Sequence, residues 1–133
     1  MESGVKLESK ISIDNKTILV VDDNRINRII TRKMLEKYKA NPLVAGGSLE
    51  AVELAKTKSI DLILMDINMP GMDGLEATEA IRSFNKNVPV IALTAVEIEE
   101  MRESIQNSLI CDIIIIIKPY DEMVFVETIL KHI

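Results

Sequence analysis

The chain has 133 residues, enough for one domain that buries a core without staples, or for one domain and a tail. Its 47% apolar and 28% charged residues fit a soluble globular protein, and its formal charge of −5 excludes a basic nucleic-acid footprint. One cysteine cannot form an internal disulfide, which points to a reducing, cytoplasmic setting, and no apolar run approaches the ~20 residues of a membrane span.

Residues 1–16 are polar without a sustained period and read as a tail or an upstream link, so the domain is expected over 17–133. Ile18-Leu19-Val20-Val21 reads as a first strand. A helix follows, with Ile26, Ile30, Met34 and Tyr38 repeating every four residues and Ile29 and Leu35 widening the stripe. Pro42-Leu43-Val44-Ala45 is a second strand, and Ser48 can cap a short helix carrying Val52 and Ala55. Leu62–Met65 is a third strand. Asp73 followed by Glu76 resembles a capping box opening a helix with Leu75, Thr78 and Ile81. Val88–Leu93 is a fourth strand, and Ile98, Met101, Ile105 and Leu109 form the narrower stripe of a fourth helix. The isoleucine run Ile113–Ile117 is a fifth strand, and Asp121 can cap a last helix with Val126, Ile129 and Leu130. Four of the five strands are apolar throughout instead of alternating, as strands buried on both faces of a parallel sheet are. The order βαβαβαβαβα is that of a doubly wound α/β fold.

In such a sheet the active groups collect at the C-terminal ends of the strands. Strand 1 ends in Asp22-Asp23-Asn24, strand 3 in Asp66-Ile67-Asn68, strand 4 in Thr94-Ala95 and strand 5 in Lys118-Pro119. One edge therefore offers three carboxylates, a hydroxyl and an ammonium. Clustered carboxylates repel unless something neutralises them. A hard divalent cation does this, and Mg²⁺ typically takes one or two carboxylates together with phosphate. Lys118 is a point charge suited to a phosphoryl oxygen, and Thr94 can hydrogen-bond one. A carboxylate can itself be the nucleophile, giving an acyl phosphate. An Asp-Asp pair, a Thr or a Lys-Pro after a single strand is commonly a cap or a turn. It is the joint occurrence at four strand ends that points to function.

These motifs resemble the receiver domain of two-component response regulators. The matching text is Ile18–Asn24, Leu64–Gly74, Val90–Ala95 and Lys118-Pro119, at regular spacing over about residues 16–133. The resemblance implies a (βα)₅ flavodoxin-like sandwich with strand order 2-1-3-4-5. It implies Asp66 as phosphoacceptor, Asp23 binding Mg²⁺ (or Mn²⁺) directly, Asp22 binding it mainly through water, and Asn68 giving its backbone carbonyl to the metal. It implies Thr94 as the switch hydroxyl, and Lys118 on the phosphoryl oxygens with a cis bond to Pro119. Asp23–Arg28 looks most like receivers attached to hybrid sensor histidine kinases, whose parent chains can be membrane-anchored; residues 1–16 would be the link from an upstream kinase core. Two positions depart from the pattern. Ile115 stands where the family keeps a switching Tyr or Phe, and Ile110-Cys111 stands where a small residue is usual.

The expected function is a phosphoacceptor signalling domain that takes a phosphoryl group from a phosphohistidine and relays it or changes its surface. The donor is a kinase core or a histidine phosphotransfer protein, with docking expected on the face of the fourth helix, fifth strand and fifth helix. The domain would promote its own Mg²⁺-dependent phosphorylation and dephosphorylation, with no separate turnover substrate. A degenerate, phosphorylation-independent module is the alternative, favoured only by Ile115. An aspartyl hydrolase of the haloacid dehalogenase type would carry Asp-x-Asp after strand 1, where this chain has the adjacent pair. His132, the single histidine, reads as a solvated helix end, Cys111 as an apolar filler, and Gly46-Gly47 as lacking a phosphate-loop spacing.

Overall fold

Aliphatic runs rich in Ile, Val and Leu form five short strands in the computed structural model, which describes residues 13–66, 74–94, 112–115 and 122–133. They are β1 (Thr17–Val21), β2 (Asn41–Ala45), β3 (Leu62–Asp66), β4 (Val90–Thr94) and β5 (Asp112–Ile115). All pair in parallel in the order β2-β1-β3-β4-β5. Among the described residues, four helices accompany them: α1 (Arg25–Lys37), α2 (Ser48–Thr57), α3 (Gly74–Arg82) and α4 (Glu122–His132). The fourth predicted helix, Ile98–Leu109, and the caps Asp73 and Asp121 lie outside the described residues. So does Cys111.

Side chains alternate across the sheet. Ile18, Val20, Leu64, Ile91 and Leu93 face α1 and α4, packing on Leu35, Phe125, Val126 and Ile129. Leu19, Val21, Ile63, Met65 and Val90 face α2 and α3, packing on Ala51, Ala55, Ala77 and Ile81. Both faces are covered, so β1 and β3 need an apolar residue at nearly every position. The edge strand β2 is only part-buried until Ala45. Its Pro42 sits where a missing N–H is tolerated.

Three local features differ from the expectation. Ile13, inside the stretch read as a tail, is buried in the α1/α4 core, and Asn15 N–H donates to the Lys39 carbonyl at 2.9 Å. Gly47, not Ser48, occupies the cap position of α2, with extended backbone and no side-chain cap bond. Glu50 instead reaches back to accept from the Gly46 N–H at 3.0 Å. In α1, Ile26 and Ile30 are exposed, at 64% and 42%, while Thr31 and Leu35 are buried.

Candidate functional site

The site starts at the point where β1 stops. Asp22 N–H donates to the Ala45 carbonyl at 3.1 Å, so sheet pairing with β2 continues one residue past Val21. Asn24 then turns the chain into α1, and its side chain accepts from the Asn27 N–H at 3.0 Å. That is an N-cap bond satisfying one of the helix's orphan donors. The turn fixes Asp22, whose Oδ1 accepts from the Asn24 N–H at 2.8 Å and whose carbonyl accepts from Arg28 Nη1 at 2.8 Å. Asp22 is 3% exposed, whereas Asp23 projects into solvent.

β3 lies beside β1 in register, with Val21 opposite Met65, so the next residue of each strand emerges at the same edge. Asp66 is that residue on β3 and is half-buried. Ligand oxygens of Asp22, Asp23 and Asp66 all lie within 4.8 Å of one another. At an effective dielectric of 20, two unit charges at that spacing repel by about 3 kcal/mol before salt screening. Burial pushes the Asp22 carboxyl above the usual carboxylate value, and the neighbouring Asp23 charge adds to it. Hydrogen bonds from the Asn24 N–H and the Asn27 side chain act in the opposite direction. The donor set is hard oxygen crowded at one edge, which fits Mg²⁺ or Mn²⁺.

Among the predicted site residues, the structure thus brings Asp22, Asp23 and Asp66 together. Thr94 ends β4 at the same edge, one residue past the register partner of Asp66, and Ile115 pairs with Thr94 across β5. Asn68 and Lys118 lie outside the described residues. Asn27 and Arg28 both hold Asp22, a role that the Asp23–Arg28 resemblance does not carry. Their signal was their place in the first turn after the acid pair, where a helical side chain leans back toward the strand end.

Comparison with known proteins agrees with this geometry. The family model for the response regulator receiver domain matches residues 18–130. Sensor protein GacS of Pseudomonas syringae pv. syringae is 35% identical over 119 residues, covering 86% of this chain but 13% of that protein. The CAI-1 autoinducer sensor kinase/phosphatase CqsS of Vibrio cholerae is 36% identical over 115 residues, covering 84% of this chain and 16% of its own length. The receiver domain of a sensor histidine kinase from Pseudomonas aeruginosa PAO1, solved with a magnesium ion coordinated in its active-site cleft, superposes with a TM-score of 0.77. It is 31% identical and covers 88% of this chain and 95% of its own. Vibrio cholerae chemotaxis protein CheY4 gives a TM-score of 0.82 at 25% identity, covering 90% of this chain and 99% of its own. Acid cluster, sheet order and family match converge, and the chain belongs to the response regulator receiver domain family of two-component systems.

Proposed function

We propose that Asp66 is the phosphoacceptor of this receiver. The observation that carries this is the meeting of its carboxylate with Asp22 and Asp23 at the C-terminal edge of the sheet. The donor is a phosphohistidine of a kinase core or a histidine phosphotransfer protein. A carboxylate oxygen of Asp66 attacks phosphorus, the P–N bond to the imidazole breaks, and the imidazole leaves with the bonding pair and takes up a proton. Asp23 would hold Mg²⁺ directly, Asp22 mainly through water, and Asp66 and the Asn68 backbone carbonyl would complete the protein's share. The ion supplies charge neutralisation on the transferring group. Lys118 pairs with the phosphoryl oxygens, and Thr94 turns to bond one of them, which biases the domain toward its phosphorylated surface. The domain promotes its own phosphorylation and dephosphorylation, with no separate turnover substrate.

The domain proper is residues 17–133. The segment before it links to an upstream kinase core, and its last residues are pinned by Ile13. Partners dock on the face of the fourth predicted helix, β5 and α4, and the domain works in the cytoplasm. Among the described residues no helix is long and apolar enough to cross a membrane.

Incubation with Mg²⁺ and acetyl phosphate should add one labile phosphoryl group, read by intact mass. Asp66→Ala should abolish it. A stable adduct, or one that survives the substitution, overturns the assignment.

A further inference from the structure

A second polar site lies next to the acid cluster, on the flank of α1 that meets the edge strand β2. Arg25, Arg28 and Arg32 follow one another at i, i+3 and i+7, which puts three guanidiniums on one helix face. With Ile29 and with Val44 of the edge strand β2 they line a groove of about 240 Å³. Three observations set this groove apart from an ordinary solvated face.

First, the cations are segregated by chemistry. The chain holds five arginines and eleven lysines, and three of the five arginines line this one groove. The other two cations of α1, Lys33 and Lys37, do not line it. Arginine presents a planar fork that matches carboxylate and phosphate oxygens two at a time, which lysine cannot do. Second, the placement works against the helix. Arg25 and Arg28 stand in the first turns of α1, which has no acidic residue in its first turn. Cations there oppose the positive end of the helix dipole. For Arg28 the bond to the Asp22 carbonyl offsets this, but among the described residues Arg25 has no such partner, and a local rule broken in that way is where a ligand is to be sought. Third, the groove is built rather than floppy. Arg28 is anchored by its 2.8 Å bond to the Asp22 carbonyl. Its guanidinium lies over Gly46, where a Cβ would come within 3.1 Å of Nη1. Among the described residues Arg25 has no carboxylate partner, and Arg32 has only a 4.0 Å contact to Glu36 with both side chains about half exposed.

We propose that this groove binds a small organic phosphomonoester, the guanidiniums taking the phosphate and Ile29 and Val44 the apolar body. The charge match favours a dianion: a phosphomonoester carries about −1.5 to −2 at neutral pH and offers three acceptor oxygens. The volume is that of a small ligand, below the roughly 300–1,000 Å³ of drug-sized pockets. Arg28 joins the groove to Asp22 through the Asp22 carbonyl, so the test substitutes Arg25 and Arg32, which hold no member of the acid cluster.

The test is a titration of the whole chain with phenyl phosphate in EDTA, followed by amide and arginine Nε–H chemical shifts. EDTA keeps metal, and with it the anion, off the acid cluster. Shifts should centre on Arg25–Arg32 and Val44 and leave Asp66 unmoved. Inorganic phosphate, which lacks the apolar body, should bind more weakly. Arg25→Glu should weaken phenyl phosphate by about tenfold or more, with the amide dispersion of the fold unchanged. A purely structural arginine would leave phenyl phosphate binding as it is in the parent. Arg32→Gln, with no reversal of charge, should weaken binding severalfold. The proposal is overturned if phenyl phosphate binds no better than inorganic phosphate or if both variants bind as the parent does. It is also overturned if a phosphotyrosine peptide with neutral flanks binds far more tightly than phenyl phosphate, since the ligand would then be a protein side chain.

Discussion

Asp22 is the residue with the greatest conflict between position and charge. It is buried, faces two other carboxylates, and is held by the Asn24 N–H and by Arg28 on its carbonyl. Its pKa is raised in the folded state relative to the usual 3.8, first by burial. Folding therefore favours the protonated form. The associated stability is fully present below the unfolded pKa and is lost as pH rises through the folded one. At neutral pH and without metal the ionised Asp22 is a net cost. Asp22→Asn removes the charge but keeps an oxygen for the Asn24 N–H. In EDTA it should stabilise the domain at neutral pH by about 1 kcal/mol, and the gain should vanish below the unfolded pKa. Urea unfolding at the two pH values reads this, and an unchanged neutral midpoint contradicts it. Asp23→Ala probes the metal separately. It should abolish measurable Mg²⁺ binding in titration calorimetry, because the ion would lose its direct ligand; unaltered affinity would remove Asp23 from the ligand set.

The element with the most to teach is α1. Its existence was legible in the sequence, because the apolar residues recur at helical spacing; the Asn24 cap that starts it is seen in the structure. Which of the apolar residues face inward was not legible. Repeats of exactly four residues advance about 40° per step on a helix of 3.6 residues per turn, so a stripe from Ile26 to Tyr38 winds around the helix. Its start leaves the core and Leu35, read as a flank, takes the centre. Leu35→Ala should cost about 2–5 kcal/mol, whereas Ile26→Ala should stay within about 0.5 kcal/mol, as measured by denaturant midpoints. The end of α1 was also hidden. Lys39 N–H donates to the Glu36 carbonyl at 2.9 Å, and Ala40 N–H to the Leu35 carbonyl at 3.0 Å. This is a Schellman closure, with Ala40 buried beside Leu35. It places Lys39 at φ 67°, a conformation that favours glycine. No glycine marks the stop, so the sequence gives no sign of it there. Lys39→Gly should raise stability by about 1 kcal/mol, and a lower urea midpoint would show that the lysine side chain contributes more than its strain costs.

At the scale of the molecule, the alternation of apolar runs with helical stripes was enough to infer a parallel sheet, and the edge where the acids meet follows from that sheet. The order of the strands came from resemblance to a family, because runs such as Leu62–Met65 and Val88–Leu93 carry no label for their neighbours. Contacts between distant elements were equally silent. Tyr38, at the end of α1, donates its hydroxyl to Glu122 Oε2 at 2.6 Å, across 84 residues of sequence. Lys37 Nζ donates to the same oxygen at 3.0 Å. Glu122 opens α4, so this contact ties the first helix to the last on the face they share. The Tyr38 hydroxyl first, and Lys37 second, hold the Glu122 carboxyl below its usual 4.5. A depressed carboxylate contributes stability above its unfolded pKa and loses it as pH falls through the folded value. Because the contact faces solvent, it should act on the seating of α4 and leave the global midpoint nearly unchanged. Tyr38→Phe keeps the ring against the core and removes the hydroxyl. The Glu122 side-chain carbon, followed by NMR, should then titrate closer to 4.5 than in the parent chain. Amides at the start of α4 should exchange faster, because the helix loses the bond that holds its first residue. Lys37→Met should move the titration less, since it removes the second of the two causes. If Tyr38→Phe leaves the Glu122 titration where it was, the tie between the two helices does not rest on the hydroxyl, and the seating of α4 must come from Phe125 and Ile129 alone.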